Sequence, residues 1–166
     1  MLSDLLNKIT SYNLFNYLLP GVVLCYFSDN FLNTSFIVDN LFVGAFVYYF
    51  AGLLVSRVGS LVLEPTLRKL QIISFEPYED FVKAASLDTK IDILMESANM
   101  YRSLAAVFLA LLLIAAYKKL ETASSIISDN QVIVLSSLAL LLLSTAYAKQ
   151  INYVCSRVKQ MKDRDR

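Results

Sequence analysis

The chain has 166 residues, 57% of them hydrophobic, and its mean hydropathy is +0.55. Soluble domains contain about 45–50% apolar residues, so this excess indicates a protein of the lipid bilayer. Lysine and arginine number 15 and aspartate and glutamate 14, and the net charge of +1 excludes a general attraction to nucleic acid. Histidine is absent, which removes the commonest proton shuttle at neutral pH.

Four segments of the chain are predicted to span a bilayer, which takes about 20 largely apolar residues in a helix. They are residues 9–28, 40–56, 103–117 and 130–148. In the first segment, Pro20 and Gly21 predict a kink or the start of a new helix, because proline lacks a backbone N–H. The third segment is short, so Arg102 and Lys118 at its ends are expected to extend outward into the interface.

The distribution of basic residues predicts the orientation of these spans. Of the 15 lysine and arginine residues, all lie at Lys8, within 57–102 or after 148, except Lys118 and Lys119. The positive-inside rule then places both termini and the middle segment in the cytoplasm. The predicted fold is an all-α, four-span transmembrane helix bundle with helical cytoplasmic extensions. Its parts are transmembrane helices 1 and 2 over 1–66, a cytoplasmic helical segment over 67–100, transmembrane helices 3 and 4 over 101–148 and a basic cytoplasmic tail over 149–166.

One face of the second span is nearly bare of side chains. Gly44, Gly52, Ser56 and Ser60 are separated by multiples of four residues, a spacing that lets another helix come close. The pattern is equally consistent with contact inside one chain and with contact between copies. Both interpretations remain open at the level of sequence.

Two charged residues follow the end of the same span. A helix that begins near residue 40 reaches the membrane boundary after about 20 residues, close to Arg57. We therefore interpret Arg57 as an interface anchor at the place where the helix leaves the membrane. The alternative is a pore, in which Arg57 and Glu64, seven residues apart on one helical face, form a polar ring when copies assemble. Pro65 is expected to end or bend the helix.

The middle segment holds a predicted amphipathic helix, because apolar residues recur at helical spacing between 87 and 101. This helix is expected to continue into the third span. Asp88, Asp92 and Glu96 repeat every four residues along another of its faces. We interpret them as a solvated acidic face rather than as metal ligands, because no histidine or cysteine lies near them in the sequence. Such a face can also dock a basic partner protein.

No segment of the sequence predicts catalysis. The chain has no glycine-rich phosphate loop, no histidine for a triad and no close pair of cysteines. We therefore expect neither enzymatic activity nor a cofactor nor a bound metal. The charged tail is expected to extend the fourth span, where its basic residues can contact anionic lipid headgroups.

The overall pattern resembles a family of small membrane proteins. The stretches that carry the resemblance are YLLPG, SRVGSLVLEPTLRKL and YEDFVKAASLDTKIDILMESANMYRSLAAVFLALLL. They are similar to four-span proteins of bacterial defence islands, in particular to the membrane subunits of the Kiwa anti-phage system. The resemblance implies an inner-membrane homo-oligomer, a tetramer, that senses a phage-induced change of the envelope and works with a cytoplasmic DNA-binding partner. It assigns no functional residue to a position of this chain.

Two hypotheses of function follow. The first is a homo-oligomeric scaffold or sensor in the bacterial inner membrane, multi-pass with both termini in the cytoplasm, that recruits or regulates a soluble cytoplasmic protein. Its expected contacts are the lipid bilayer, copies of itself and that protein, without direct binding to nucleic acid. The alternative is a small oligomeric channel or membrane-disrupting effector with a pore lined by the second span. Four spans and one short helix leave little room for a gated pore in a single copy, which favours the scaffold.

Overall fold

The computed structural model describes residues 13–123 and 129–164, and the regular structure in these ranges is helical throughout. The expected all-α class is therefore confirmed for the described ranges. Two of the helices contain a π-helical segment. In chain order the helices are α1 (π-helical over Leu14–Leu18, α-helical over Leu19–Leu32), α2 (α-helical over Leu41–Val58, π-helical over Gly59–Leu63, α-helical over Glu64–Lys69), α3 (Tyr78–Leu87), α4 (Lys90–Ala123) and α5 (Gln131–Arg164).

Three of the described helices are long and apolar enough to cross a membrane. They are Leu41–Lys69 in α2, Lys90–Ala123 in α4 and Gln131–Ser156 in α5. These helices contain the third predicted span and all but the first residue of the second and fourth, which supports a membrane protein with three helices able to span the bilayer. The first predicted span begins at residue 9, outside the described residues, and stays a prediction. The predicted orientation also depends on Lys8 and on the basic side chains of 157–166. The structure does not describe these side chains.

Helices α1 and α2 meet backbone to backbone at two glycines. A Cβ on Gly21 would lie 1.7 Å from the carbonyl oxygen of Tyr48, and one on Gly52 would lie 1.7 Å from that of Tyr17. Only a residue without a side chain allows this approach. The π-helical part of α1 ends just before Pro20, so the helix widens where proline cannot donate a hydrogen bond and then continues.

A small hydrophobic core forms where α1, α2 and α4 cross. Its members Leu24, Val55, Ala106 and Val107 are at most 7% exposed. Helix α5 lies largely outside this core, since 6% of its apolar segment is buried within the chain, against 22% for α2 and 17% for α4. The outward faces of the three spanning helices therefore present apolar side chains to lipid or to other proteins.

The connection between α1 and α2 folds around Asp29. Its carboxylate accepts hydrogen bonds from the hydroxyl of Thr34 and from the amides of Phe36 and Ile37, the last two at 2.8 and 2.7 Å. Partial burial works to raise the pKa of Asp29, but these three hydrogen bonds outweigh it and hold the pKa below its ordinary value. The ionised carboxylate therefore stabilises the loop.

Lys118 connects α4 to the C-terminal end of α1. Its ammonium group donates hydrogen bonds to the carbonyl oxygens of Leu32 and Asn33, at 2.6 and 3.1 Å. The last carbonyl groups of a helix have no partner within the helix, so the lysine satisfies acceptors that α1 leaves open. Lys118 thus binds within the chain instead of extending freely outward as the sequence suggested.

Candidate functional site

The polar end of the bundle is organised around the carboxylate of Glu64, whose side chain is 9% exposed. Its Oε2 lies 2.6 Å from Nη1 of Arg102 in α4. Its Oε1 lies 3.4 Å from Nη2 of Arg68 in α2 and 3.6 Å from Nζ of Lys149 in α5. We call these four residues the Glu64 cluster, and it brings one negative and three positive charges together.

The Glu64 cluster joins the three spanning helices at one level. A carboxylate taken out of water without a cation is strongly disfavoured, and the three cations that reach Glu64 offset this cost of burial. Arg102 directly precedes the uncharged run 103–117, and Lys149 directly follows the run 130–148. Each cation therefore lies one residue outside an apolar segment, and the cluster fixes how far α4 and α5 are shifted along α2.

Helix α2 reaches the cluster through its π-helical segment. In such a segment each backbone N–H donates a hydrogen bond to the carbonyl oxygen five residues earlier. The bond from position 65 to Ser60 is missing, because Pro65 has no N–H. The carbonyl oxygen of Ser60 instead accepts a hydrogen bond from Nζ of Lys149, at 2.7 Å. The expectation that the helix ends at Pro65 is therefore wrong: α2 widens before the proline and continues to Lys69, with α5 satisfying the freed carbonyl. A bend at Pro65 stays a prediction.

The four small residues of α2 are buried inside the chain. Gly52 faces the backbone of α1, and Gly44 lies against a tyrosine ring of its own helix. Ser56 accepts a hydrogen bond from the hydroxyl of Ser103 in α4, at 3.3 Å, and Ser60 belongs to the π-helical segment beside α5. This face of α2 is therefore used for contacts within one chain, and its use between copies stays a prediction.

A cleft of about 850 Å³ opens beside the Glu64 cluster, between α3 and the polar ends of α2, α4 and α5. Four basic side chains line it: Arg57, Arg68, Arg102 and Lys149. Three carboxylates also line it: Glu64, Glu76 and Asp80. The remaining lining is mainly aromatic and aliphatic, including Phe75, Tyr78, Phe81, Ile91 and Met95. The cleft thus combines a basic region with an apolar wall.

Aromatic side chains of α3 and of the segment before it line the edge of the cleft. The ring of Tyr78 lies 6.0 Å from that of Tyr153 in α5, measured between centroids. On the α2 side, the guanidinium of Arg68 lies 4.0 Å from the centroid of Phe75. Stacking of this kind orients the planar guanidinium while leaving its edge able to donate hydrogen bonds. The cleft is therefore bordered by the packed rings of Tyr78 and Tyr153 on one side and by the stacked guanidinium of Arg68 on the other.

The two predicted pore or interface charges have different environments. Arg57 is half-buried and lines the cleft. Glu64 already has three counter-charges from its own chain. A polar ring of Arg57 and Glu64 from several copies stays a prediction, but Glu64 does not need a second copy to be neutralised.

The three predicted partner-binding carboxylates are exposed, although they do not share one helix. Asp88 precedes α4 in an extended conformation, and its carboxylate accepts a hydrogen bond from the amide of Lys90 at 2.9 Å. It acts as a cap for the start of the helix. Asp92 and Glu96 lie one turn apart on α4 and face outward. Neighbouring apolar side chains are exposed as well: Leu87, Ile93 and Leu94, at 89%, 62% and 68%.

The sequence does not identify the three partners of Glu64, which are Arg68, Arg102 and Lys149. In the sequence they only add to the count of positive charges that predicts the orientation of the spans. Their positions along the sequence could have indicated this contact. Arg102 and Lys149 border apolar segments on the same side of the membrane as Glu64 in the predicted topology. A carboxylate and two cations therefore had to lie near one level.

Within 13–123 and 129–164, no group of three or more histidine, cysteine, aspartate or glutamate residues is arranged to hold a metal ion. Comparisons of the chain with family models, with curated proteins and with solved structures find no match. They leave the resemblance to the Kiwa membrane subunits as a prediction. A function for the chain therefore has to be argued from the geometry of the polar end.

Proposed function

We propose that this chain is a membrane scaffold or sensor subunit that assembles with copies of itself and recruits or regulates a soluble cytoplasmic protein. In this proposal it lies in the inner membrane of a bacterium and acts in defence against phage, as the sequence resemblance implies. Both termini lie in the cytoplasm, as the positive-inside rule predicts. The role requires no catalytic chemistry. The observation that carries the proposal is an exposed surface, both apolar and acidic, on the part of α4 beyond the Glu64 cluster.

Helix α4 is longer than a membrane span requires. Its 34 residues extend about 51 Å, whereas the hydrocarbon core of a bilayer is about 30 Å thick. The uncharged part of the helix begins after Arg102, at the level of the Glu64 cluster. Residues 90–101 then form an extension of about 18 Å on the polar side of that level.

The extension exposes apolar side chains that the described part of the chain leaves uncovered. Ile93 and Leu94 are 62% and 68% exposed. Glu96 follows Ile93 by three residues, so the carboxylate and the isoleucine are neighbours on the helix surface. Exposed apolar groups bordered by charge are typical of protein–protein interfaces, which supports a partner at this position.

The charge of this surface indicates the chemistry of the partner. Asp92 and Glu96 are exposed carboxylates one turn apart, and Asp88 adds a third just before the helix. Carboxylates at the edge of an apolar contact speed the encounter with a basic surface and disfavour an acidic one. The partner is therefore expected to present an apolar patch surrounded by lysine or arginine.

Assembly with other copies is supported by the exposure of α5. Its residues Leu138, Leu140 and Leu141 are 56%, 69% and 66% exposed. Ser137 and Ser144 lie two turns apart on its exposed surface, and small polar residues at such positions favour close packing of membrane helices. We propose that a second copy packs on this helix, while the number of four copies follows from the resemblance alone.

Charge reversal tests the docking surface. The double variant Asp92→Lys, Glu96→Lys should lower the affinity for the soluble product of the neighbouring gene by about tenfold or more. Affinity is measured by titrating that protein onto the membrane protein in neutral detergent. The matched control reverses Glu79 and Glu121, carboxylates elsewhere on the chain, and should change the affinity by less than about twofold.

Equal affinities for the two double variants would refute the docking surface. Light scattering of the purified protein tests assembly separately, since a mass of one 18.7-kDa chain, after subtraction of bound detergent, would contradict the homo-oligomer.

A channel lined by α2 receives less support, because the carboxylate of Glu64 is already bound by three cations of its own chain.

A further inference from the structure

The cleft beside the Glu64 cluster has more positive charge than its carboxylates balance. Its four lining cations face three carboxylates, and one of these, Asp80, also lies 4.0 Å from Lys83, which does not line the cleft. Glu64 alone is shared by three cations within 3.6 Å. The cleft is therefore suited to a second anion.

The donors around the cleft match the geometry of a phosphate group. Arginine presents a planar set of N–H donors that fits two oxygens of a phosphate, and lysine adds a point charge. Arg68 is oriented by its stacking on Phe75, and Arg57 is half-buried beside the same space. A phosphate between these arginines and Lys149 would gain charge-assisted hydrogen bonds without displacing Glu64.

The position of the cleft indicates where such a phosphate comes from. Arg102 immediately precedes the uncharged run of α4, and Lys149 immediately follows that of α5, so the cleft lies at the boundary where phospholipid headgroups are found. Basic pockets between transmembrane helices at this level are typical sites for anionic lipid. The apolar wall, with Phe75, Phe81 and Met95, fits the glycerol and the first carbons of an acyl chain.

We infer that this cleft binds the headgroup of an anionic phospholipid, with the phosphodiester held by Arg57, Arg68 and Lys149. Such a site takes its ligand from the bilayer, so its occupancy depends neither on a protein partner nor on the proposed function. Four described elements, α2 to α5, contribute to the lining. A bound lipid would therefore hold the short helix α3 against the spanning helices.

Direct lipid titration tests this assignment. The purified, delipidated protein in neutral detergent is titrated calorimetrically with dioctanoyl phosphatidylglycerol, with dioctanoyl phosphatidylcholine and with inorganic phosphate. We expect phosphatidylglycerol to bind at least about fivefold more tightly than phosphatidylcholine, because one ionic contact near the membrane surface contributes about that factor. Inorganic phosphate should bind more weakly than phosphatidylglycerol, because it lacks the glycerol and acyl chains.

Neutral substitutions locate the site. Arg57→Gln, Arg68→Gln should lower the affinity for phosphatidylglycerol by about tenfold or more and leave phosphatidylcholine unchanged. The matched control, Lys69→Gln, Lys90→Gln, removes two exposed cations that do not line the cleft and should change the affinity by less than about twofold. Arg57→Gln alone should lower the affinity while preserving the ion pairs of Glu64, which separates loss of binding from loss of folding.

Three results would overturn the inference. Equal binding of the two phospholipids would show that the cleft does not select charge. Binding of inorganic phosphate as tight as that of phosphatidylglycerol would assign the site to a free phosphate. Equal affinities of the cleft variants and of the control variant would place any lipid binding elsewhere on the protein.

Discussion

Replacing Glu64 by glutamine leaves three cations without the counter-charge that they share. Glutamine keeps the length of the side chain and one carbonyl oxygen, so the substitution removes charge while it preserves packing. The side chain of Glu64 is 9% exposed, and those of Arg102, Lys149 and Arg68 are 23%, 30% and 48% exposed. Water therefore screens the pair with Arg68 most and the pair with Arg102 least.

These environments set the expected magnitude. Breaking a buried ion pair costs about 3–5 kcal/mol, whereas an exposed pair contributes about 0–1 kcal/mol. The contact with Arg102, at 2.6 Å, resembles a buried ion pair. The two longer contacts, with Arg68 and Lys149, resemble exposed ion pairs. We expect Glu64→Gln to lower the free energy of unfolding by about 2–4 kcal/mol. For a chain of this size that corresponds to a fall in Tm of roughly 5–15 °C.

The assay is thermal unfolding in detergent, followed by the helical circular dichroism signal because the chain has no tryptophan. The control is Glu76→Gln, which removes an exposed carboxylate from the same cleft and should shift Tm by less than about 2 °C. A double-mutant cycle with Arg102→Gln should give a coupling energy of about 1–3 kcal/mol. Equal Tm shifts for Glu64→Gln and Glu76→Gln, or a coupling energy near zero, would refute the reasoning.

Two further predictions concern the contact between α1 and α2 and the loop that follows α1. Gly52→Ala should lower the free energy of unfolding by about 2 kcal/mol more than Gly44→Ala, because the first Cβ meets backbone 1.7 Å away and the second meets a tyrosine ring at 3.2 Å. Equal denaturation midpoints would contradict that contact. Asp29 has a pKa below its ordinary 3.8, so its ionised form stabilises the fold above that pH and the contribution is lost as the pH falls through the lower folded-state value. Asp29→Asn should therefore show a smaller fall in Tm than the wild type between about pH 6 and pH 3, whereas parallel pH profiles would exclude this role.

The spanning helices were predictable because lipid imposes a condition that a sequence displays directly. A helix in hydrocarbon needs a long uncharged run, and such runs appear within α2, α4 and α5. The continuity of α4 was also predictable, since its apolar residues keep helical spacing from Ile91 into the uncharged run after Arg102. The small-residue face of α2 was predictable as a packing face, because close packing in a membrane requires small side chains. Its use within one chain was not predictable, since the same spacing also fits contact between copies.

The Glu64 cluster was not predictable from these patterns. Hydropathy gives the length of each helix but not its rotation or its shift along a neighbour, and both decide which charges meet. Arg102 and Lys149 therefore resembled interface charges, although their side chains turn towards Glu64. The π-helical segment escaped prediction for a related reason, since the carbonyl of Ser60 is satisfied by α5 and not by its own helix.

The Glu64 cluster also gives the two proposals a physical connection. Arg102 binds Glu64, lines the cleft and lies at the base of the α4 extension that carries the proposed partner surface. An anionic headgroup held by Arg57, Arg68 and Lys149 would draw on two of the three cations that bind Glu64, and would thereby change the charge around the contact between Glu64 in α2 and Arg102 in α4. A change in lipid occupancy would then act on the orientation of the extension, because a helix transmits a displacement at its base along its length. A sensor built in this way needs no pore and no catalytic group, only a difference in affinity for the lipid between two arrangements of α4.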